Sequence, residues 1–301
     1  CMWVLCVHKI KRMIIVNLKG GIGNQMFQYA LGKKLALKNN DTLKLAIDTL
    51  QKARSVGDMH RPYSLDAFSI SAEIATASEV RTIKYPYGII SVWVRFINAR
   101  ILKKTNIGFI PEVLNWRGDL FLDGYWQSPS YFTDIRDTLL TEFTLETPVS
   151  DVMSSYKQQI ESSTSVSIHI RRGDYVENPR VRKEFGICEP AYYKAAIVHV
   201  TEKLTAPTFF IFSDDIQWVK ENLSLPESTV FVQDSDLKAV EELTLMAMCK
   251  HNIIANSTFS WWGAWLNANK NKIVVCPTPW FENNSSDLNL IPKIWIQLPK
   301  A

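Results

Sequence analysis

Four clusters in this 301-residue chain suit chemistry on an anionic group. The first is His169-Ile170-Arg171-Arg172-Gly173-Asp174-Tyr175. A guanidinium fork matches phosphate oxygens two at a time. Strand alternation puts His169 and Arg171 on one side and Arg172 on the other. One arginine can then face a ligand while the other pairs with Asp174; a surface ion-paired loop is the plainer alternative. Gly173 points to a close backbone approach. The second cluster is Ser213-Asp214-Asp215. Its carboxylates can cap a following helix, or one can accept from N1–H and the exocyclic amine of guanine, a donor pair that adenine lacks. The third is Asn256-Ser257-Thr258-Phe259-Ser260-Trp261-Trp262-Gly263. Hydroxyls and backbone N–H groups at a helix start make an anion site. An ordinary N-cap explains one hydroxyl and leaves the others without a role. The fourth is Lys19-Gly20-Gly21-Ile22-Gly23-Asn24-Gln25. It falls short of the dinucleotide fingerprint, because the third glycine position holds Met26. It remains a tight turn that can bring backbone amides and Asn24 to a diphosphate.

Other carboxylates are less specific. Asp234-Ser-Asp236 has the D-x-D form that holds a divalent ion in some sugar transferases, but a helix N-cap by Asp236 is the simpler reading. Asp123 precedes Gly124-Tyr125-Trp126-Gln127 at a strand end. It suits a general base or an acceptor-sugar ligand, with Trp126 and Gln127 beside it; Trp126 can stack on a sugar ring or belong to the scaffold.

The elements that must position these residues alternate. Met13–Leu18 reads as a buried strand, the glycines break it, and apolar residues at helical spacing follow from Asn24 to about Asn39. Strands at 43–47 and 120–125 complete a first α/β half, separated by an irregular, helix-rich stretch over 50–115. A helix is expected around 129–139. A boundary falls near 150, after Pro148. The second half opens with a helix at 150–162. Strands at 166–170, 208–212, 229–232, 252–255 and 272–276 then alternate with helices at 191–203, 216–222, 237–250 and 260–269. Five strands so connected make a doubly wound sheet, whose ligands bind beyond the carboxyl ends of the strands. The polar clusters fall there. The domains are thus an extension at 1–12, a first domain at 13–150 and a second at 151–301.

Composition excludes several classes. With 47% apolar residues, 21% charged and 10 Trp, the chain is neither disordered nor low in complexity. A net charge of +4 suits a small anion, without the basic stripe that nucleic acid requires. Five cysteines with no CxxC pair fit reduced thiols, Cys249 and Cys276 being core residues. Met2–Val7 is too short to span a membrane, and its basic residues follow rather than precede it, unlike a signal peptide.

The motifs together resemble a known family. KGGIGNQMFQYALGKKLA at 19–36, GYWQSPSYF at 124–132, HIRRGDY at 169–175, FIFSDD at 210–215 and NSTFSWWGAWL at 256–266 are similar to those of bacterial α-1,2-fucosyltransferases. The resemblance implies a GT-B fold, two Rossmann-like domains facing across a cleft. It implies an inverting enzyme that moves L-fucose from GDP-β-L-fucose to a 2-hydroxyl, with a galactose-terminated oligosaccharide as acceptor and no metal or other cofactor. By motif position, Arg171 would grip the β-phosphate, His169 would lie near the ribose or guanine, and Asp214 would read the guanine. Ser257, Thr258, Phe259 and Ser260 would line the diphosphate, with Gly21, Gly23 and Asn24 closing from the first domain. The absence of an animal-type membrane anchor favours a cytoplasmic setting, at most peripheral at the inner membrane.

On this reading, Arg171 and the helix start near Ser257 meet the charge that grows as GDP leaves. Asp123, and more weakly Glu189, is the carboxylate available as a base. The main rival is a related transferase using another nucleotide sugar or linkage. A nicotinamide enzyme with Asp48 on a ribose, and a non-catalytic sugar-binding protein, are further alternatives.

Overall fold

The computed structural model describes residues 12–51, 61–88, 107–146, 149–282 and 289–301. Except for Arg12, the expected extension lies outside the described residues. So do 52–60 and 89–106 of the irregular stretch, and Pro148. The chain packs as two compact α/β units. Unit 1 takes in residues up to Lys19, Phe27–Tyr63 and Ser71–Arg136; unit 2 takes in Gly20–Met26, Ser64–Ile70 and Asp137–Ala301.

Unit 1 is built on a parallel sheet. Strand β1 (Met13–Asn17) is apolar and β-branched, and its central residues are fully buried. It leads into helix α1 (Ile22–Asn39), strand β2 (Thr42–Ala46) and a short helix α2 (Asp48–Gln51). Strand β3 (Glu73–Ile74), helix α3 (Ala77–Lys84) and strand β4 (Leu120–Leu122) follow. Gly32 lets α1 lie against β1, since a Cβ there would collide with Val16. The strand order is β3-β2-β1-β4. The chain therefore moves outward from β1 through β2 to β3, then returns to pair β4 with the other edge of β1. The sheet's direction of travel reverses between β1 and β4.

The helix expected around 129–139 starts as two 3-10 turns, Pro129–Tyr131 and Thr133–Ile135, and becomes α-helical only at α4 (Arg136–Glu142). Helix α5 (Asp151–Glu161) is capped by Ser150, whose hydroxyl accepts the Met153 N–H.

Unit 2 contains a parallel sheet of six strands rather than five. After β5 (Thr164–Ile170) come α6 (Gly173–Glu177), α7 (Pro179–Phe185) and α8 (Pro190–Thr201). Strand β6 (Pro207–Ser213), α9 (Ile216–Asn222), β7 (Thr229–Phe231), α10 (Ala239–Met248) and β8 (His251–Ile253) continue the alternation. Helix α11 (Thr258–Leu266), β9 (Val274–Thr278) and β10 (Ile296–Pro299) end it. The order is β10-β9-β8-β5-β6-β7. The switch point thus lies between β5 and β8.

Alternate residues of β6 explain why helices cover both faces. Phe209 and Ile211 pack with Tyr192, Ala196 and Val200 of α8. Phe210 and Phe212 pack with Met153, Ile160, Leu245 and Met246 on the other face. Cys188 and Cys249 lie in these cores, and both they and Cys276 are buried free thiols. Two more places differ from the sequence reading. The polar loop after β5 is helical, started at Pro179 by the Asn178 cap. The last strand, β10, is half-exposed and carries proline, so its pattern is weak. Among the described residues, no helix is long and apolar enough to cross a membrane.

Candidate functional site

Arg171 and Arg172 lie in the turn between the carboxyl end of β5 and the start of α6. Arg171 Nη2 donates to Asp174 Oδ1 at 2.5 Å, and Nη1 lies 2.8 Å from Asp214 Oδ2. Burial works against the Arg171 charge, but Asp214 and Asp174 more than offset it and raise its pKa. Two carboxylates engage two of five guanidinium N–H groups, which leaves donors for a ligand. Arg172 is placed differently. Its guanidinium lies 3.6 Å from the centroid of the Trp218 ring, and its Nε is 3.4 Å from Asp215 Oδ2. The expected division, one arginine with Asp174 and one facing a ligand, is therefore replaced. Arg171 takes Asp174 and Asp214 together, and Arg172 is held by stacking.

This changes the part of Asp214. Its Oδ2 meets Arg171, and its Oδ1 accepts the Arg172 N–H at 2.8 Å. Both oxygens expected to read a purine are engaged in building the arginine turn. Gly173 permits this, since a Cβ there would fall 2.6 Å from Asp214 Oδ2. Asp215 takes the capping role, accepting the Trp218 N–H at 3.0 Å.

The third cluster lies at the same end of the sheet, across the switch point. The Tyr175 hydroxyl donates to the Asn256 carbonyl at 2.9 Å, and the His169 and Phe259 rings are 5.5 Å apart. Buried Asn256 donates to the Phe185 and Trp280 carbonyls, fixing the turn before α11. Ser257 caps that helix through the Phe259 N–H. Thr258 and Phe259 are half-buried at its start. Ser260 is not at the surface of the site: it is fully buried, and its hydroxyl donates back to the Ala255 and Ser257 carbonyls.

The glycine turn belongs here too. Residues 20–26 pack in unit 2 rather than closing from unit 1. A Cβ on Gly23 would lie 2.5 Å from the Thr258 carbonyl carbon and 2.7 Å from the Phe259 nitrogen. The Trp262 indole donates to the Gly23 carbonyl at 2.9 Å. Gly23 is thus a close-packing glycine that brings the start of α1 against the start of α11. Gly21 has open space beside it, and Asn24 is half-buried. Two helix N-termini meeting in this way concentrate N–H groups and positive potential.

Two further groups shape the site. His169 is buried, and its Nδ1 has no hydrogen-bond partner among the described residues. Burial, aided by the Arg171 charge, pushes its pKa down to about 3, so the ring is neutral. Glu242, on α10, was not singled out by sequence. It is half-buried with no side-chain hydrogen bond or ion pair among the described residues, and burial together with Asp214 raises its pKa to about 7. No sequence signal marks Glu242, which follows Glu241 in α10; only its burial beside Asp214 sets it apart.

In unit 1, Asp123 follows β4 and is about a third exposed. Its Oδ1 accepts from Lys19 Nζ at 3.0 Å and Asn17 Nδ2 at 3.1 Å. Trp126 does not stand ready to stack on a sugar. It is only 1% exposed, packed edge-on to Trp116 and Tyr131. A positive φ of 53° at Trp126 turns the chain out of the strand and drives the indole inward. Gln127 is also buried, its N–H donating to the Ile107 carbonyl. Asp236 caps no helix; its N–H donates to Asp234 Oδ1 in a local turn, and Glu241 holds the start of α10 instead. Asp48 and Glu189 are exposed helix-start residues.

The depressed His169 pKa gives a stability prediction. Below about pH 6.5 the unfolded chain takes up a proton that native His169 refuses until about pH 3. Stability is therefore lost as pH falls through that window, by up to about 1.4 kcal/mol per pH unit. Urea midpoints from pH 7 to 4 should fall less steeply for His169→Gln than for the parent chain; parallel slopes would contradict the assignment.

Comparison with known proteins fits this geometry. Residues 106–296 match the family described as Glycosyl transferase family 11. An alpha-1,2-colitosyltransferase of Escherichia coli is 32% identical over 96% of this chain and 99% of its own length. The O-antigen biosynthesis glycosyltransferase WbnK, also of Escherichia coli, is 33% identical over 93% of this chain and 99% of its own length. The mouse galactoside 2-alpha-L-fucosyltransferase Sec1 is 24% identical over 84% of this chain and 64% of its own. The crystal structure of fucosyltransferase NodZ from Bradyrhizobium superposes with a TM-score of 0.51 at 14% identity, covering 84% of this chain and 92% of that one. NodZ co-crystallised with GDP gives the same score. The paired parallel-sheet units have the GT-B fold of those enzymes, and the chain belongs to glycosyl transferase family 11.

Proposed function

We propose that the chain transfers L-fucose from GDP-β-L-fucose to the 2-hydroxyl of a galactose-terminated acceptor, forming an α-1,2 bond with inversion. One observation carries this reading. Arg171, held between Asp174 and Asp214, sits at the switch point of unit 2, at the end of the strand whose His169 packs against Phe259 at the start of α11, where α1 also begins. That combination suits a nucleoside diphosphate. The remaining Arg171 donors meet the β-phosphate. Backbone N–H groups near Gly21, Asn24, Thr258 and Phe259 meet the other phosphate oxygens. The acceptor O–H loses its proton, and its oxygen bonds to C1 of the sugar. The C1–O bond to phosphate breaks, its electron pair leaving with GDP. Asp123 is the proposed proton acceptor. Because charge grows on the diphosphate, donors aimed there accelerate the step.

Glu242 takes the guanine-reading role first given to Asp214. Its carboxylate costs free energy while unpartnered, and two N–H donors on one base edge would relieve that cost. Glu242→Gln should bring the inhibition constants of GDP and ADP closer by about tenfold or more. An undiminished preference for GDP would remove Glu242 from this role.

The relatives support an α-1,2 linkage more strongly than they support fucose. The names of the colitosyltransferase and of the mouse enzyme agree on linkage and differ on sugar. The 32% identity to the former favours a second reading, another nucleotide-linked deoxy sugar on the same machinery. A donor panel with lactose and other galactosides, run in excess EDTA with products read by mass spectrometry, separates the two. The proposal expects fucosylated galactoside from GDP-fucose without added metal. Turnover only with a different donor, or only after manganese is restored, would contradict it.

A further inference from the structure

Unit 1 carries a polar cluster at its own switch point, of which the proposed reaction uses only Asp123. Asn17 ends β1, Asp123 directly follows β4, and these two strands are the pair between which the sheet reverses direction. Ligands of open parallel sheets bind beyond the strands' carboxyl ends at such a reversal. Thr49, in α2 after β2, donates to Asn17 Oδ1 at 2.9 Å, which orients the Asn17 amide. Asn17 and Lys19 then donate to one oxygen of Asp123. Lys19 itself is clamped. Its N–H donates to Gln28 Oε1 at 3.0 Å, and Gln28 Nε2 donates back to its carbonyl at 3.1 Å. Gln28 is wholly buried, so the clamp is part of the core. The Lys19 ammonium also lies 4.9 Å from the centroid of the half-exposed Tyr125 ring.

We propose that Lys19, Asp123 and Tyr125, braced by Asn17 and Thr49, form the acceptor-sugar subsite of unit 1, with Lys19 as the residue that positions Asp123. The proposal rests on reading the chain as a sugar transferase. A fixed carboxylate beside an ammonium matches neighbouring sugar hydroxyls, which both donate and accept. Tyr125 supplies the aromatic surface that the sequence had assigned to Trp126, one residue along. The chain runs from Asp123 to Tyr125 before the turn at Trp126, so the polar and aromatic groups stay on the accessible side while the indole enters the core.

Saturation-transfer NMR with methyl β-D-galactoside tests this on the full chain, alongside calorimetry with GDP and steady-state kinetics with lactose. The galactoside signal seen with the parent chain should vanish in Lys19→Met and weaken in Tyr125→Ala. The lactose KM should rise about tenfold or more in Lys19→Met. Lys19→Arg should recover most of that loss, and GDP affinity should stay as in the parent chain. Tyr125→Ala, at a partly exposed position, serves if Lys19→Met fails to fold. No galactoside signal with the parent chain, or an unchanged signal and KM in folded Tyr125→Ala, would overturn the subsite. Loss of GDP binding in the parent chain would instead sink the donor reading of unit 2.

Discussion

The interaction on which the rest of the site depends is the Arg171 guanidinium held between Asp174 and Asp214. Each partner comes from a different element. Asp174 lies on the helix that follows β5, and Asp214 follows β6. The ion pairs therefore fix the geometry of two strand ends at once, and Gly173 is small because Asp214 must pass it. Two carboxylates also cost the site positive charge. An anion is attracted only if something else restores it. The joined starts of α1 and α11 do so, their fields reinforcing one another at Gly23 and Thr258. The close approach at Gly23 and the Trp262 hydrogen bond hold the glycine turn in unit 2 even though its sequence lies far from the rest of that unit.

Unit 1 is organised by the same rule with different chemistry. Its sheet also reverses at β1, and polar side chains again gather where the strands end. The charge there is balanced, one ammonium with one carboxylate. Balanced pairs bracing one another suit a neutral polyhydroxyl ligand, as the unbalanced field of unit 2 suits a diphosphate. Both proposals rest on topology plus the residue types at strand ends, rather than on fold alone.

Much of this was legible in the sequence because the signals were local. β1 is a run of buried β-branched residues, β5 alternates such residues with Ser165, Ser167 and His169, and the spacing of Phe27, Ala30, Leu31 and Leu35 marks α1. Asp215 and Ser257 take the capping role that is the plainer alternative for their clusters. What failed depended on long-range contacts. Local pattern cannot tell that Asp214 bonds across to the Arg172 backbone, 42 residues away, or that Gly23 meets Thr258. It cannot tell that Trp126 turns inward at a positive φ while Tyr125 does not. Ser260 looked like its neighbours until the helix phase buried it. Lys19 reads in the sequence only as the start of the glycine turn, and Glu242 belongs to no motif; burial and partners, not spacing, distinguish them.

The central claim is that the charge at position 171 serves the β-phosphate rather than the fold alone. Calorimetry on the parent chain and Arg171→Ala, each with GDP and with GMP, isolates that phosphate. The account predicts a large loss of GDP affinity, about tenfold or more, with GMP affinity nearly unchanged and the variant still folded. Equal losses for both nucleotides, or none for either, would show that Arg171 only braces the two strand ends.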